Sequence, residues 1–201
     1  MSNRAARGVP GPGFGARYGP GMRVIAGELG GRRLQAPRGT ATRPTADRVR
    51  EALFSMLGPL VQARALDLFA GSGALGIEAL SRGAERVVFV ERDAAALRAL
   101  QTNLDALGLA PPRAQALRSE ALAALRSARE RKETYDLVFI DPPYSQARDW
   151  GPELSALLPA LLGPGARVVV ESDRREPMQM ALGLERERRY GDTSIRIYLH
   201  Q

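Results

Sequence analysis

Beyond residue 64 the chain alternates short apolar runs with longer amphipathic ones, and few folds accommodate that rhythm. The apolar runs are 65–69, 86–90, 113–117, 135–140 and 166–171. Helix-period stretches at 74–82, 94–107, 120–130 and 153–162 separate them, and Gly83, Gly108 and Gly163 stand where helices commonly end. Short apolar strands divided by helices predict a parallel sheet covered on both faces. The last segment breaks the alternation. Residues 186–190 and 194–199 flank Gly191-Asp192-Thr193, which predicts a closing antiparallel hairpin. Together these make a mostly parallel, seven-stranded α/β sheet.

A length of 201 residues supports one domain with a full core, expected over 22–201. The first 21 residues hold six Gly and three Pro and little that could anchor a core, so a disordered tail is expected there, with Met22 as an alternative start. No apolar run approaches the roughly 18 residues of a spanning helix, and the start shows no secretory pattern, so a cytoplasmic monomer away from membranes is expected. There is no cysteine, and His200 is the single histidine. That removes disulfides, zinc ribbons and thiol nucleophiles and leaves no expected metal site. Catalysis must rest on carboxylates, backbone groups, hydroxyls or a cofactor.

The net charge of +7 is unevenly placed. Ten Arg stand against Glu28 and Asp47 in residues 1–50, whereas the remainder is close to neutral. A basic arm on a neutral body predicts a polyanionic partner. Residues 22–60 form that extension, and 61–201 the core. Within it, Val24-Ile25-Ala26, then Gly27, Gly30 and Gly31, then Arg32-Arg33-Leu34 suggest a small basic hairpin. A helix follows, with Thr45 as its cap and Val49, Leu53, Met56, Leu57 and Leu60 on its apolar side, stopped by Gly58-Pro59. Arg43, Arg48 and Arg50 are expected to face outward. With Arg23, Arg32 and Arg33 they are the candidate phosphate contacts.

The first strand runs into Gly71-Ser72-Gly73 and a helix, and Gly76 completes G-x-G-x-x-G. Glu91 follows Gly71 by 20 residues, at the end of the second strand, where a carboxylate can accept both hydroxyls of a ribose. A dinucleotide site shares these features, and a bare glycine turn packing helix on sheet is the blander alternative. Asp67 separates the cases. A carboxylate four residues before the first glycine repels a pyrophosphate but suits the ammonium of S-adenosylmethionine. Glu120, after the third strand, could accept from the adenine amine or simply sit favourably at a helix start. Arg92 could lie over the adenine face.

Asp141-Pro142-Pro143-Tyr144 follows the fourth apolar strand. An Asp141 oxygen and the Pro142 carbonyl can each accept one N–H of an amino group, which aims the nitrogen lone pair at an incoming methyl. Pro142 and Pro143 stiffen the loop, and Tyr144 offers a stacking surface for a base. An Asp-Pro turn is common after any strand. Its discriminating value comes from standing in order behind Asp67, the glycine loop and Glu91.

The stretches 22–27, 43–51, 66–83, 141–144 and 191–193 resemble the bacterial 16S ribosomal RNA guanine-N2 methyltransferases of the RsmD type. The resemblance covers 22–199 and implies a class I, Rossmann-like S-adenosylmethionine-dependent methyltransferase. By resemblance its substrate is one guanine, guanine-966, of 16S ribosomal RNA in a partly assembled small-subunit particle. Another RNA or DNA amino-methyltransferase, or a non-catalytic RNA-binding assembly factor with a cofactor fold, are the alternatives. Methylation at cytosine carbon is excluded because it needs a cysteine.

Overall fold

The computed structural model describes residues 22–36, 44–142 and 147–201. The expected tail at 1–21 lies outside them. In chain order the elements are α1 (Pro44–Leu57), β1 (Arg64–Asp67), α2 (Ala74–Ser81), β2 (Arg86–Glu91), α3 (Ala94–Leu107), β3 (Ala114–Arg118), α4 (Ala121–Glu130), β4 (Tyr135–Ile140), α5 (Ala147–Leu157), β5 (Leu162–Asp173), β6 (Gly183–Tyr190) and β7 (Thr193–Leu199). The strands form one sheet in the order β3-β2-β1-β4-β5-β7-β6. Strands β1 to β5 pair in parallel, and β7 pairs antiparallel with both β5 and β6. The strand order reverses between β1 and β4, and a cleft opens at such a point.

The sheet is buried on both faces, which explains the unbroken apolar runs. One face carries Ala65, Phe89, Phe139, Val169 and Ile197 against Leu53 and Phe54 of α1, Ile77 of α2 and Leu100 of α3. The other carries Leu66, Val88, Val138 and Val168 against Leu125 of α4 and Leu154 of α5. Phe54 and Phe139 meet with ring centroids 5.8 Å apart. Asp93 caps α3 by accepting from the N–H groups of Ala95 and Ala96 at 2.9 and 2.8 Å. Gly108, at φ 68°, ends that helix. Gly58 follows α1 as expected, and Leu60 is buried just beyond it.

The small basic hairpin is present as one antiparallel bridge between Arg23 and Arg33, with Leu34 N donating to the Met22 carbonyl at 2.8 Å and Val24 N to the Arg32 carbonyl at 2.9 Å. Side chains of α2 and α3 take further N–H groups of the segment, as described below. Two local expectations are corrected. Helix α1 begins at Pro44, so Thr45 is inside it and not its cap; proline suits a first helical position because its missing N–H has no helical partner there. Helix α5 starts at Ala147 and runs through Pro152, and a 3-10 turn at Leu158–Leu161 closes it. Gly163 therefore belongs to β5 and is not a helix stop.

Candidate active site

The cleft is built from the carboxyl ends of β1, β2 and β4. Asp67 ends β1, is 2% exposed, and its Oδ2 accepts the N–H of Gly76 at 3.0 Å. That N–H belongs to the first turn of α2 and has no helical acceptor, so the carboxylate fixes strand end and helix start together. Glu91 ends β2. Its Oε2 accepts from Gly71 N at 2.8 Å and its Oε1 from Asp93 N at 2.7 Å. Each carboxylate oxygen has a second lone pair, so Glu91 holds the loop and still has acceptor capacity for a ligand. Gly73 has φ 88°, and a Cβ there would lie 2.5 Å from Leu100 Cδ1. Backbone and packing both demand glycine. Behind the loop, Asn103 of α3 donates to the Ser72 carbonyl at 2.9 Å.

A cavity of about 490 Å³ lies over these groups, lined by Asp67, Gly71, Ser72, Glu91, Arg92, Ser119, Glu120, Asp141 and Pro142, with Met22 and Ala36 of the N-terminal segment at its rim. Seven of the proposed cofactor and catalytic residues thus meet in one place. Gly73 stands behind the wall and shapes it. Pro143 and Tyr144 lie outside the described residues. Arg92 and Glu120 approach each other at 3.5 Å across the cavity's outer side. Glu120 occupies the cap position of α4 without a side-chain capping bond.

The electrostatics select the ligand. Burial, then the charge of Glu91, pushes the Asp67 carboxyl up to about 7, against the lowering effect of the Gly76 N–H. Burial raises Asp141 well above the carboxylate range, and Glu171 and Asp67 raise it further. The deep end of the cleft therefore presents carboxyls that lack a cation among the described residues. Such carboxyls suit a cationic ligand, which favours their ionised form, better than a pyrophosphate.

Of the candidate RNA contacts, Arg23, Arg32, Arg33 and Arg48 are exposed, and Arg43 lies outside the described residues. Arg50 does not face outward. It is 6% exposed, donates to Asp47 Oδ1 at 3.0 Å and to the carbonyl of Arg23, and its Nε lies 3.9 Å from Glu78. Its position three before Leu53 and seven before Leu57 places it on the inner side of α1, where only a buried acid can receive it. Glu78, fully buried, also accepts from Ile25 N at 2.6 Å, Ala26 N at 3.1 Å and Arg82 Nε at 2.7 Å. Sequence reading passed over Glu78, Asn103, Ser72, Ser119 and Glu171. Only the last had a readable signal, a lone acid closing an apolar strand.

Fold and site define a class I S-adenosylmethionine-dependent methyltransferase. A family model described as conserved hypothetical protein 95 matches residues 22–199. YlbH of Bacillus subtilis is 42% identical over 186 residues, covering 88% of this chain and 98% of its own. The ribosomal RNA small subunit methyltransferase D of Haemophilus influenzae is 36% identical, over 88% of this chain and 93% of its own. The structure of yhhF from Escherichia coli superposes with a TM-score of 0.76 at 36% identity, covering 90% and 98% of the two chains. A Thermus thermophilus 16S rRNA N2 methyltransferase, RsmC, solved with AdoMet and guanosine, gives 0.63 at 26% identity over 82% of this chain and 45% of its own. The chain belongs to the RsmD-type family of bacterial 16S rRNA (guanine-N2) methyltransferases, and its cofactor is S-adenosylmethionine.

Proposed function

We propose that this enzyme methylates the N2 amine of guanine-966 of 16S ribosomal RNA in a partly assembled small-subunit particle. One observation carries the reading. Asp141 and Pro142 line the same cleft as Asp67 and Glu91, at the point where the strand order reverses. The exocyclic nitrogen of guanine is a weak nucleophile, because its lone pair is delocalised into the ring. An Asp141 oxygen accepts one of its N–H groups and the Pro142 carbonyl the other, which turns the lone pair out of the ring plane. When bound, the cofactor supplies a methyl group on a sulfonium sulfur, which keeps the electron pair of the broken C–S bond. Asp67 would hold the ammonium of its methionine portion, Glu91 the ribose, and Glu120 with Arg92 the adenine.

Residues 22–60 serve as the RNA-contacting extension and 61–201 as the catalytic core. Arg23, Arg32, Arg33, Arg43 and Arg48 contact phosphates, and Tyr144 stacks on the guanine. No helix among the described residues is long and apolar enough to cross a membrane. The deciding experiment incubates the enzyme with labelled S-adenosylmethionine and undermethylated small-subunit particles. Nucleoside analysis should return labelled N2-methylguanosine from one site. Label in adenosine or cytidine, or at another guanine, overturns the assignment.

A further inference from the structure

Glu171 lies near the carboxyl end of β5 and has no role in the chemistry described so far. The β4–β5 register pairs Phe139 with Val169 and Ile140 with Val170. The next residues along the two strands, Asp141 and Glu171, therefore stand side by side at the carboxyl edge of the sheet. Side chains alternate along a strand. Phe139 and Val169 both belong to the core beneath α1, α2 and α3, so two residues on, Asp141 and Glu171 turn to that same face. Glu171 is half-buried within a closed neighbourhood: Val170 and Ser172 beside it are fully buried, and its partner Ile195 on β7 is 1% exposed.

The charges around this pair are one-signed. Glu171 and Asp67 act on Asp141, and burial alone raises Glu171. On α1, Arg50 is engaged with Asp47 and Glu78, while Arg48 and Glu51 are exposed. On β6, Glu187 pairs with Arg196 on the opposite face. Arg188 shares the row of Glu171 but stands two strands away, about 10 Å at the usual spacing. No cation among the described residues neutralises either carboxyl. Two such groups, drawn away from solvent, do not both ionise readily.

Asp141 can take up the surplus proton of the methylated amine only when it is ionised, and this inference rests on its proposed role at the acceptor. We propose that Glu171 is a positioning residue of methyl transfer, holding beside Asp141 the proton that Asp141 must lack when it accepts the amine. The pair then carries one proton, on Glu171, once the N–H of the base stabilises the Asp141 anion. The nitrogen lone pair forms the new N–C bond, the C–S electrons stay on sulfur, and the nitrogen is left with one proton in excess. That proton passes to Asp141. It leaves to solvent after product departs, which restores the single-proton pair.

The test is Glu171→Gln, which keeps size and hydrogen bonding but has no proton to hold or release. In the wild type the first proton lost from the pair can come from either carboxyl, whereas in the variant it must come from Asp141. The acid limb of the pH dependence of kcat/KM should therefore move to higher pH in the variant. Its alkaline plateau should stay within about tenfold of wild type. Glu171→Asp should return the limb toward the wild-type position. A second measurement needs no RNA. Melting temperature of the free protein should fall more steeply with rising pH in wild type than in Glu171→Gln, because the variant has one carboxyl fewer that resists ionisation. Superimposable limbs with parallel stability curves overturn the proposal. Altered stability curves without methylation of any particle would instead refute the RNA substrate and leave the carboxyl pair standing.

Discussion

Asp67 ionises against its surroundings, and that has a measurable consequence. Its carboxyl is raised to about 7, so in the free protein it is largely protonated below neutral pH. The ammonium it is proposed to face binds the anion. Affinity for S-adenosylhomocysteine, measured by calorimetry, should therefore rise with pH up to about 7, by at most tenfold per unit, and level off above. Asp67→Asn should bind weakly and show no such slope. The sign for stability runs the other way. Between the unfolded value near 3.8 and the folded value, the folded state holds a proton that the unfolded state has released. Stability of the free enzyme thus falls as pH rises through that window, by about 1.4 kcal/mol per unit at most. Asp141 is proposed to act on the acceptor and not on the cofactor. Asp141→Ala should lower kcat by about a hundredfold or more while the affinity for S-adenosylhomocysteine changes little. Near-normal turnover would remove the proposed role.

At the scale of elements, the N-terminal segment is held both by its own pairing and by α2 and α3. Ser81 accepts from Leu29 N at 3.0 Å and Asn103 accepts from Gln35 N at 2.6 Å. Glu78 takes the N–H groups of Ile25 and Ala26, and a Cβ on Gly27 would collide with the Ser81 carbonyl. Removing Glu78 leaves Arg50 and Arg82 without their buried partner. Glu78→Ala should cost about 3–5 kcal/mol in urea unfolding, far more than Glu85→Ala on the exposed surface. A change below about 1 kcal/mol would show that the segment is held in some other way. This anchoring is also where sequence reading fell short. Strands β1 to β5 and helices α2, α3 and α4 were legible because each is set by its own periodicity. So were Asp67, Glu91 and Asp141, because each ends an apolar strand. The burial of Arg50 and the reach of Asn103 depend on partners up to 68 residues away, and no local pattern encodes such pairings. The start of α5 was hidden for a different reason. Pro152 resembles a helix entrance, yet Trp150 before it packs edge-on against Phe69 at 5.4 Å and draws the helix back.

Across the whole molecule, acid and base are separated in a way that matches a large anion carrying one neutral reacting group. Asp67 and Glu91 end β1 and β2, Asp141 follows β4, and these three give the cleft an acidic floor, with Glu171 of β5 beside Asp141. The exposed guanidinium groups Arg23, Arg32, Arg33 and Arg48 stand on the segment and helix above it, and that segment also supplies Met22 and Ala36 to the cleft rim. On the proposed reading the phosphates meet the basic rim, and the uncharged base is the part that enters over the acidic floor. A cationic cofactor is favoured by the same floor. The two binding events should therefore respond differently to salt. Particle binding by wild type should weaken steeply as salt rises, and replacing Arg32, Arg33 and Arg48 by Gln should flatten that dependence. Every phosphate that is no longer neutralised should lower the log–log slope by roughly 0.7–0.9. Affinity for S-adenosylhomocysteine should be unchanged in the triple variant, because its partners are in the cleft. Arg50→Gln serves as the contrast. It should lower stability without changing the salt slope, since that guanidinium is committed to Asp47 and lies against Glu78 inside the fold. A triple variant with wild-type affinity and slope would reduce these arginines to a solvated face, and the RNA would have to be held elsewhere.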